Sequence, residues 1–380
     1  MFLKNNVSDI SSAPIFLGSL QNNYMKHKKS VIIVFLVMAA TFFQYCSKTD
    51  ATNNASAADD TKSNTTITAL PLLPASAFNY SNILLPAHIA ISLPTVDNTP
   101  ATNPISNDGA TLGRVLFYDK NLSKNNSVSC GSCHRQDLSF SDSAIKSRGF
   151  LGGLTARHSM ALLNVRFYKS GKMFWDERAN TLEEQVLQPI QNTTEMGITL
   201  TELETKVSSL SYYPTLFQKA FGSTQISSDK ISKALAQFVR SIVTYQSKYD
   251  QVKQGLAGFT ADERDGETIF LTAGNNNTCA GCHAPPMFIT STPAGPFALA
   301  DPADLGINNQ RRFKSGSLRN IANTAPYFHN GSIASLQSML TGGIPAHTVA
   351  PQDRLKLLAF LQTLTDLTSI NDVKYSDPFK

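Results

Sequence analysis

Four of the five cysteines stand in two five-residue motifs, Cys130-Gly131-Ser132-Cys133-His134 and Cys279-Ala280-Gly281-Cys282-His283. Two thiols on one tight turn with an adjoining histidine have the spacing for covalent haem c attachment. The thiols add to the two vinyl groups of the porphyrin and the imidazole is held beneath the iron. The competing chemistries are a thioredoxin-like redox pair, which needs no histidine, and a four-cysteine zinc site. Both copies end in histidine. His134 and His283 are therefore read as the proximal iron ligands of two covalently bound haem c groups, anchored by Cys130 with Cys133 and by Cys279 with Cys282.

Each motif needs helices to hold it. Gly113-Arg114-Val115-Leu116-Phe117 precedes the first pair and Gly266-Glu267-Thr268-Ile269-Phe270 the second, so a Gly-x-x-aliphatic-Phe core repeats on two amphipathic segments leading into the haem loops. Near the end, Pro351 can occupy the first turn of a closing helix on which Leu355, Leu358, Leu361 and Leu364 recur at helical spacing. Strand signals are sparse. The fold class expected is mainly α, with two cytochrome c-like haem domains packed around an interface and joined by long loops. The boundaries are 80–254 for the first haem domain and 255–372 for the second.

The chain has 380 residues, 42% of them hydrophobic, which suffices for two cores. Of its formal charge of +5, four lysines and one aspartate in residues 1–45 supply +3. The small remainder excludes a basic nucleic-acid surface. Within 1–45, Met25-Lys26-His27-Lys28-Lys29 is followed by thirteen largely apolar residues, Val31 to Phe43. That is a signal-peptide pattern, too short for a comfortable membrane span, and it puts the true start at Met25. Cys46 sits where a bacterial lipoprotein carries its lipid, and 46–79 reads as an anchored, largely polar linker. The residue before it, Tyr45, is larger than lipoprotein signal peptidases usually take; ordinary cleavage nearby is the alternative. Either way the chain is exported to the periplasm, with a membrane-anchored form expected.

Beyond the two haem motifs, several stretches resemble the bacterial dihaem cytochrome c peroxidases and the related MauG-type enzymes. They are Leu112-Gly113-Arg114, Phe174-Trp175-Asp176-Glu177-Arg178-Ala179, Leu182-Glu183-Glu184-Gln185, Pro189 to Glu195-Met196-Gly197, and Ser317-Leu318-Arg319-Asn320-Ile321 leading to Ala325-Pro326-Tyr327-Phe328-His329-Asn330-Gly331. The resemblance spans roughly residues 80–370 in the family's order. It implies a first haem that is peroxidatic and a second that relays electrons to it. Gln185 and Glu195 match the distal-pocket residues, and Trp175 the tryptophan lying between the haems. Splitting peroxide requires a proton to leave one oxygen and arrive on the other, which a carboxylate above the iron, here Glu195, performs in two steps. Without the family, Glu195 would read as an exposed loop carboxylate and Trp175 as a core aromatic.

Departures from the family pattern sharpen the expectation. Many dihaem peroxidases carry a histidine some sixteen residues after the first motif that ligates the resting iron; Phe150 stands at that distance here. The first haem is therefore expected to keep an open distal position. His158 occupies the place of an asparagine that helps bind calcium in the family, while Thr324 and Pro326, the other candidate calcium positions, would offer backbone carbonyls. A neutral imidazole is a poor calcium ligand, so either calcium binds through backbone groups or His158 replaces it with hydrogen bonds. The family's sixth ligand to the second haem, a methionine or in MauG a tyrosine, falls at Gly343. Met339, one turn earlier, is the expected substitute, with His347, Met287 or no ligand as alternatives. His329 reads as a propionate or backbone partner.

The resemblance implies hydrogen peroxide as substrate, and a small cytochrome c or cupredoxin as electron donor. A homodimer is a further expected partner. The competing expectations are a MauG-type oxidase acting on a protein partner and a non-enzymatic dihaem electron carrier, the latter having no need of a distal acid.

Overall fold

The computed structural model describes residues 70–272, 279–291, 293, 295–296, 303–342 and 347–380. The signal-like segment, Cys46, most of the linker and Gly343 lie outside the described residues. The fold is mainly helical; among the described residues the extended pairings are isolated bridges.

Helix α1 (Asn107–Tyr118) begins where the Ser106 hydroxyl accepts the Gly109 N–H and is buried from Gly109 to its last residue. It is followed by α2 (Leu182–Gln191), α3 (Leu200–Ser209), α4 (Tyr213–Phe221) and α5 (Ser228–Ser241). The second half holds α6 (Lys248–Lys253), α7 (Ala261–Thr272), α8 (Leu336–Thr341) and α9 (Arg354–Gln362).

The sequence repeat has a packing cause. α1 crosses α5 so closely that a Cβ on Gly113 would stand 2.0 Å from the Ala234 carbonyl oxygen, and α7 crosses α9 with Gly266 in the same relation to Lys356 O at 2.1 Å. The phenylalanine one turn on then meets the partner helix: Phe117 lies 5.2 Å from Phe238, and Phe270 lies 5.3 Å from Phe360, centroid to centroid. Burying each such ring contributes about 1.5–3 kcal/mol. The two crossings seed two cores, one running from Tyr80 to Ile242 and one from Tyr249 to Leu364. A third cluster draws on both stretches, joining Ile89, Phe167, Tyr168 and Val243 to Met287 and Ile289.

Three of the four leucines expected on the closing helix meet the second core, Leu361 and Leu364 buried and Leu358 packed against it. Pro351–Asp353 is a separate 3₁₀ turn and α9 starts at Arg354, so Leu355 is 73% exposed while Leu357, Phe360, Leu361 and Leu364 face the core. The chain then returns to the first half, where the Tyr375 hydroxyl donates to Ser241 O and Tyr118 donates to Tyr375 O, both at 2.7 Å. Residues 72–78 also pack there: Leu72 N–H bonds Pro378 O, and Leu73 and Phe78 rest on the first core.

Inside the second half, Arg319 and Asp250 form a fully buried two-point pair at 2.7 and 2.8 Å, and His88 Nε2 joins the same carboxylate at 2.9 Å. Arg319 also donates to Pro286 O, so it ties the segment after the second motif to α6.

Gly113→Ala and Gly266→Ala are each expected to destabilise the protein by about 1–3 kcal/mol, because backbone blocks the added methyl. Thermal unfolding checks this; an unchanged midpoint in both variants would show that the crossings do not depend on glycine.

Candidate active site

At the first motif, Cys130–Cys133 is a single helical turn closed by a Ser129–Ser132 capping box. The chain then bends so that His134 Nδ1 lies 3.0 Å from Phe140 O. A carbonyl only accepts, so the proton is assigned to Nδ1 and the Nε2 lone pair is left for a metal. His283 repeats this with Gly316 O at 3.1 Å. All four thiols are free and half-buried. Burial pushes Cys130 up to about 12 and Cys133 up to about 11, so both stay protonated. Two free thiols and a tautomer-fixed imidazole at each motif fit a covalently held haem. Among the described residues no group of three or more histidine, cysteine or carboxylate side chains could hold a metal ion.

Glu195 lies on the loop after α2. Asn192 Oδ1 accepts the N–H groups of Thr194 and Glu195, turning the chain back. Gly197, at φ +67°, leaves the space taken by the Phe150 ring, which would lie 2.4 Å from a Cβ there, and Phe150 N–H donates to Glu195 O at 2.9 Å. The residue in place of the resting-state histidine is thus fastened to the loop of the candidate acid. Burial raises the Glu195 carboxyl above the usual range, and Arg178 works against that rise. The charge of Glu195 in turn bears on both thiols of the first motif. Gln185 is half-buried on α2, ten residues earlier.

Trp175 lies where chain segments distant in sequence meet. Its Nε1–H donates to His158 O at 2.8 Å, its own carbonyl accepts Lys314 N–H at 2.8 Å, and its indole stands edge-on to His329 at 6.4 Å. His329 stacks on Phe313 at 3.7 Å. Arg157 bridges Asp176 and Asp304, each at 2.7 Å, and Asp304 lies 3.7 Å from His329 Nε2. Arg157, Asp304 and Lys314 carry no spacing signal, and only their pairing across the fold reveals them. Lys314 is buried beneath this loop, with Nζ 3.7 Å from the Tyr168 ring centre and bonded to Lys172 O; burial pushes it down to about 7.

His158 spends both ring nitrogens on protein atoms, Nδ1 on Ala144 O at 3.0 Å and Nε2 on Ser141 Oγ at 3.3 Å. Its N–H donates to His329 O at 2.7 Å, which ties it to the loop following Pro326. Thr324 is buried, its hydroxyl bonded to Ile321 O. Of the side chains expected as candidate ligands to the second haem, Met339 is half-buried on α8, Met287 belongs to the third cluster, and His347 packs edge-on against Phe328 at 5.6 Å.

Residues 107–257 match the family described as di-haem cytochrome c peroxidase. The chain is 35% identical over 280 residues to a cytochrome c551 peroxidase of Nitrosomonas europaea, covering 70% of this chain and 82% of that one. It is 30% identical over 266 residues to the methylamine utilization protein MauG of Methylophilus methylotrophus, covering 67% and 78%. A crystal structure of a MauG-like protein associated with microbial copper homeostasis superposes with a TM-score of 0.69 at 29% identity, over 79% of this chain and 99% of that one.

Titration of Glu195 by its carboxyl infrared band is expected to give a pKa above the ordinary carboxylate range. Arg178→Gln should raise it further, because the opposing cation is gone. A pKa unmoved by that substitution would remove Arg178 from the account.

Proposed function

The chain belongs to the di-haem cytochrome c peroxidase family, and from that premise we propose that it reduces hydrogen peroxide to water in the periplasm. The electrons come singly from a small cytochrome c or a cupredoxin. Two electrons and two protons convert one peroxide into two waters. Bound at the two motifs, the haems supply the one-electron redox chemistry and the site of O–O cleavage. The chain supplies the rest. Glu195, as carboxylate, accepts a proton from one peroxide oxygen and returns it to the other, while Gln185 orients the substrate by hydrogen bonding. Trp175 lies on the route between the second haem and the first. The observation that carries this reading is a half-buried carboxyl, raised by desolvation, on a loop that Phe150 N–H and Asn192 fasten in the half of the chain that carries the first motif.

The signal-like segment and Cys46 support export and a lipid anchor. No helix among the described residues is long and apolar enough to cross a membrane. A calcium ion at the inter-domain position would have only backbone carbonyls such as those of Thr324 and Pro326, because the His158 imidazole is committed to Ala144 O and Ser141 Oγ.

One observation favours a second reading, a MauG-type oxidase of a protein partner. The relatives carry both names, and Phe150 stands where many peroxidases hold a resting histidine. Mixing the holoprotein with peroxide and reduced cytochrome c separates the two. Catalytic oxidation of the carrier supports the peroxidase; a lasting spectral change without turnover supports the oxidase, and silence toward peroxide leaves an electron carrier.

Glu195→Gln is expected to lower peroxide turnover about 10²–10⁴-fold, the usual worth of a positioned acid–base; full retained turnover would remove its role. The oxidised holoprotein should also show one high-spin haem, since Phe150 has no atom to offer the iron. A wholly low-spin spectrum would sink the open distal position.

A further inference from the structure

We propose that Tyr168 is a redox-active residue: when the haem-loaded protein meets peroxide, one electron is drawn from its ring while its phenolic proton passes to Glu177. The proposal rests on the reading of the two motifs as haem sites that react with peroxide. It goes beyond that reading by naming a side chain that stores an oxidising equivalent.

A phenol that loses an electron becomes a very strong acid, so a tyrosine is oxidised easily only where its proton has somewhere to go. Electrons pass through packed side chains, but a proton needs an acceptor in hydrogen-bond contact. Tyr168 has one. It closes the 3₁₀ turn Val165–Phe167, and its hydroxyl donates to Glu177 Oε1. The residue is fully buried and clusters with Ile89, Phe167, Val243, Met287 and Ile289, so water is kept from the ring. Burial first, and then Glu177, hold the phenol far above its usual range, so electron and proton leave together. Glu177 is half-buried and sits in left-handed backbone at φ +55°, a conformation that strains a residue with a side chain and that glycine adopts freely. A carboxylate is thus held where the backbone alone would favour glycine.

The surroundings tie this pair to the Trp175 loop and to the stretch after the second motif. Glu177 follows Trp175 by two residues. Lys314 joins that loop to the ring: its N–H donates to Trp175 O at 2.8 Å, and its Nζ, bonded to Lys172 O, stands 3.7 Å from the Tyr168 ring centre. An ammonium there would oppose loss of an electron; burial pushes Lys314 down to about 7, which weakens that opposition near neutral pH. Met287 and Ile289, which pack with Tyr168, flank the segment whose Thr290 hydroxyl donates to Cys282 O at 2.9 Å. Other tyrosines are served differently. Tyr80, Tyr118, Tyr327 and Tyr375 donate to backbone carbonyls, which cannot take up a proton, and Tyr212 and Tyr213 compete for one oxygen of Asp119 just past the end of α1.

Of the two electrons that turn one peroxide and two protons into two waters, one is drawn from Tyr168 and the other from a haem. The phenolic O–H bond breaks and a Glu177 O–H bond forms. An electron from the external carrier then reduces the ring, and the proton returns from Glu177 to the phenolic oxygen.

Electron paramagnetic resonance of the oxidised holoprotein, frozen after mixing with peroxide in the absence of a donor, tests this. A pyridine haemochrome assay and the haem absorption change on adding peroxide come first; fewer than two haems per chain, or no change, would overturn both the proposal and the reading beneath it. With both in place, a tyrosyl radical is expected, its hyperfine pattern narrowed in protein grown on ring-deuterated tyrosine. A haem response without a tyrosyl signal overturns the proposal, whether or not any variant folds. Tyr168→Phe, which removes one hydroxyl, should lose the signal while keeping both haems and the absorption change. Glu177→Gln, whose amide accepts a hydrogen bond but not a proton, should lose it too, and Tyr212→Phe should leave it intact. A signal that persists in Tyr168→Phe, is unchanged in Glu177→Gln or vanishes in Tyr212→Phe overturns the proposal.

Discussion

An imidazole can serve an iron from Nε2 only if something else holds Nδ1 and its proton. At both motifs that partner is a backbone carbonyl, Phe140 O for His134 and Gly316 O for His283. The constraint reaches outward, because a backbone carbonyl is only as well placed as the chain that carries it. Phe140 rests on Phe117 of α1 and on Tyr375 of the returning tail. Gly316 precedes Ser317, whose hydroxyl donates to Met287 O, and Leu318, whose N–H donates to Phe288 O. Phe288 in turn packs against Phe270 and Phe360 at the second glycine crossing. The close approach at Gly113 or Gly266 is thus felt at the ring nitrogen that would face the metal.

The ground around Trp175 is held differently. Here the contacts are polar and largely withdrawn from water, where an unpaired charge costs several kcal/mol. Arg157 meets this by taking two carboxylates at once, Asp176 from the Trp175 loop and Asp304 from the second half of the chain. Its guanidinium also lies 5.7 Å over the Phe313 ring, against which His329 stacks. Trp175 is therefore positioned from every side: its N–H by His158 O, its carbonyl by Lys314, its neighbouring Asp176 by Arg157 and Arg178. An aromatic expected to carry electrons gains from such fixing, since a rigid path needs little reorganisation.

What was legible in the sequence follows from what is local. The haem motifs and the glycine–phenylalanine repeat are encoded within a few residues of themselves, whereas Glu195 stands out only through the family resemblance, since alone it reads as an exposed loop carboxylate. On the closing helix three of the four expected leucines, Leu358, Leu361 and Leu364, meet the second core; Pro351–Asp353 folds as a separate 3₁₀ turn, Leu355 is left exposed, and Leu357 and Phe360 join the buried face. Arg157 and Asp304 were silent because their pairing spans 147 positions. The carbonyls of Phe140 and Gly316 were silent for another reason: a backbone group acts regardless of its residue type. His88, which carries no motif, turns out to share Asp250 with Arg319 for the same reason of distance.

The two halves repeat one scaffold yet face their motifs with different groups. The first half holds a loop whose half-buried carboxyl, Glu195, is raised by desolvation, moderated by Arg178 and fastened through Phe150, a side chain with no nitrogen or sulfur. The second half instead offers Met339 on α8 and His347 beyond it as the candidate partners of its motif. A carboxyl that cannot approach an iron closely leaves room for a small substrate and a means of moving its proton. A sulfur or nitrogen that approached an iron would fill the place and leave electron transfer as the remaining task. The proposed division of labour therefore does not need two folds or two cofactors. It needs one scaffold in which the distal loop is free to change while the glycine crossing, the paired cysteines and the carbonyl behind the proximal histidine stay fixed.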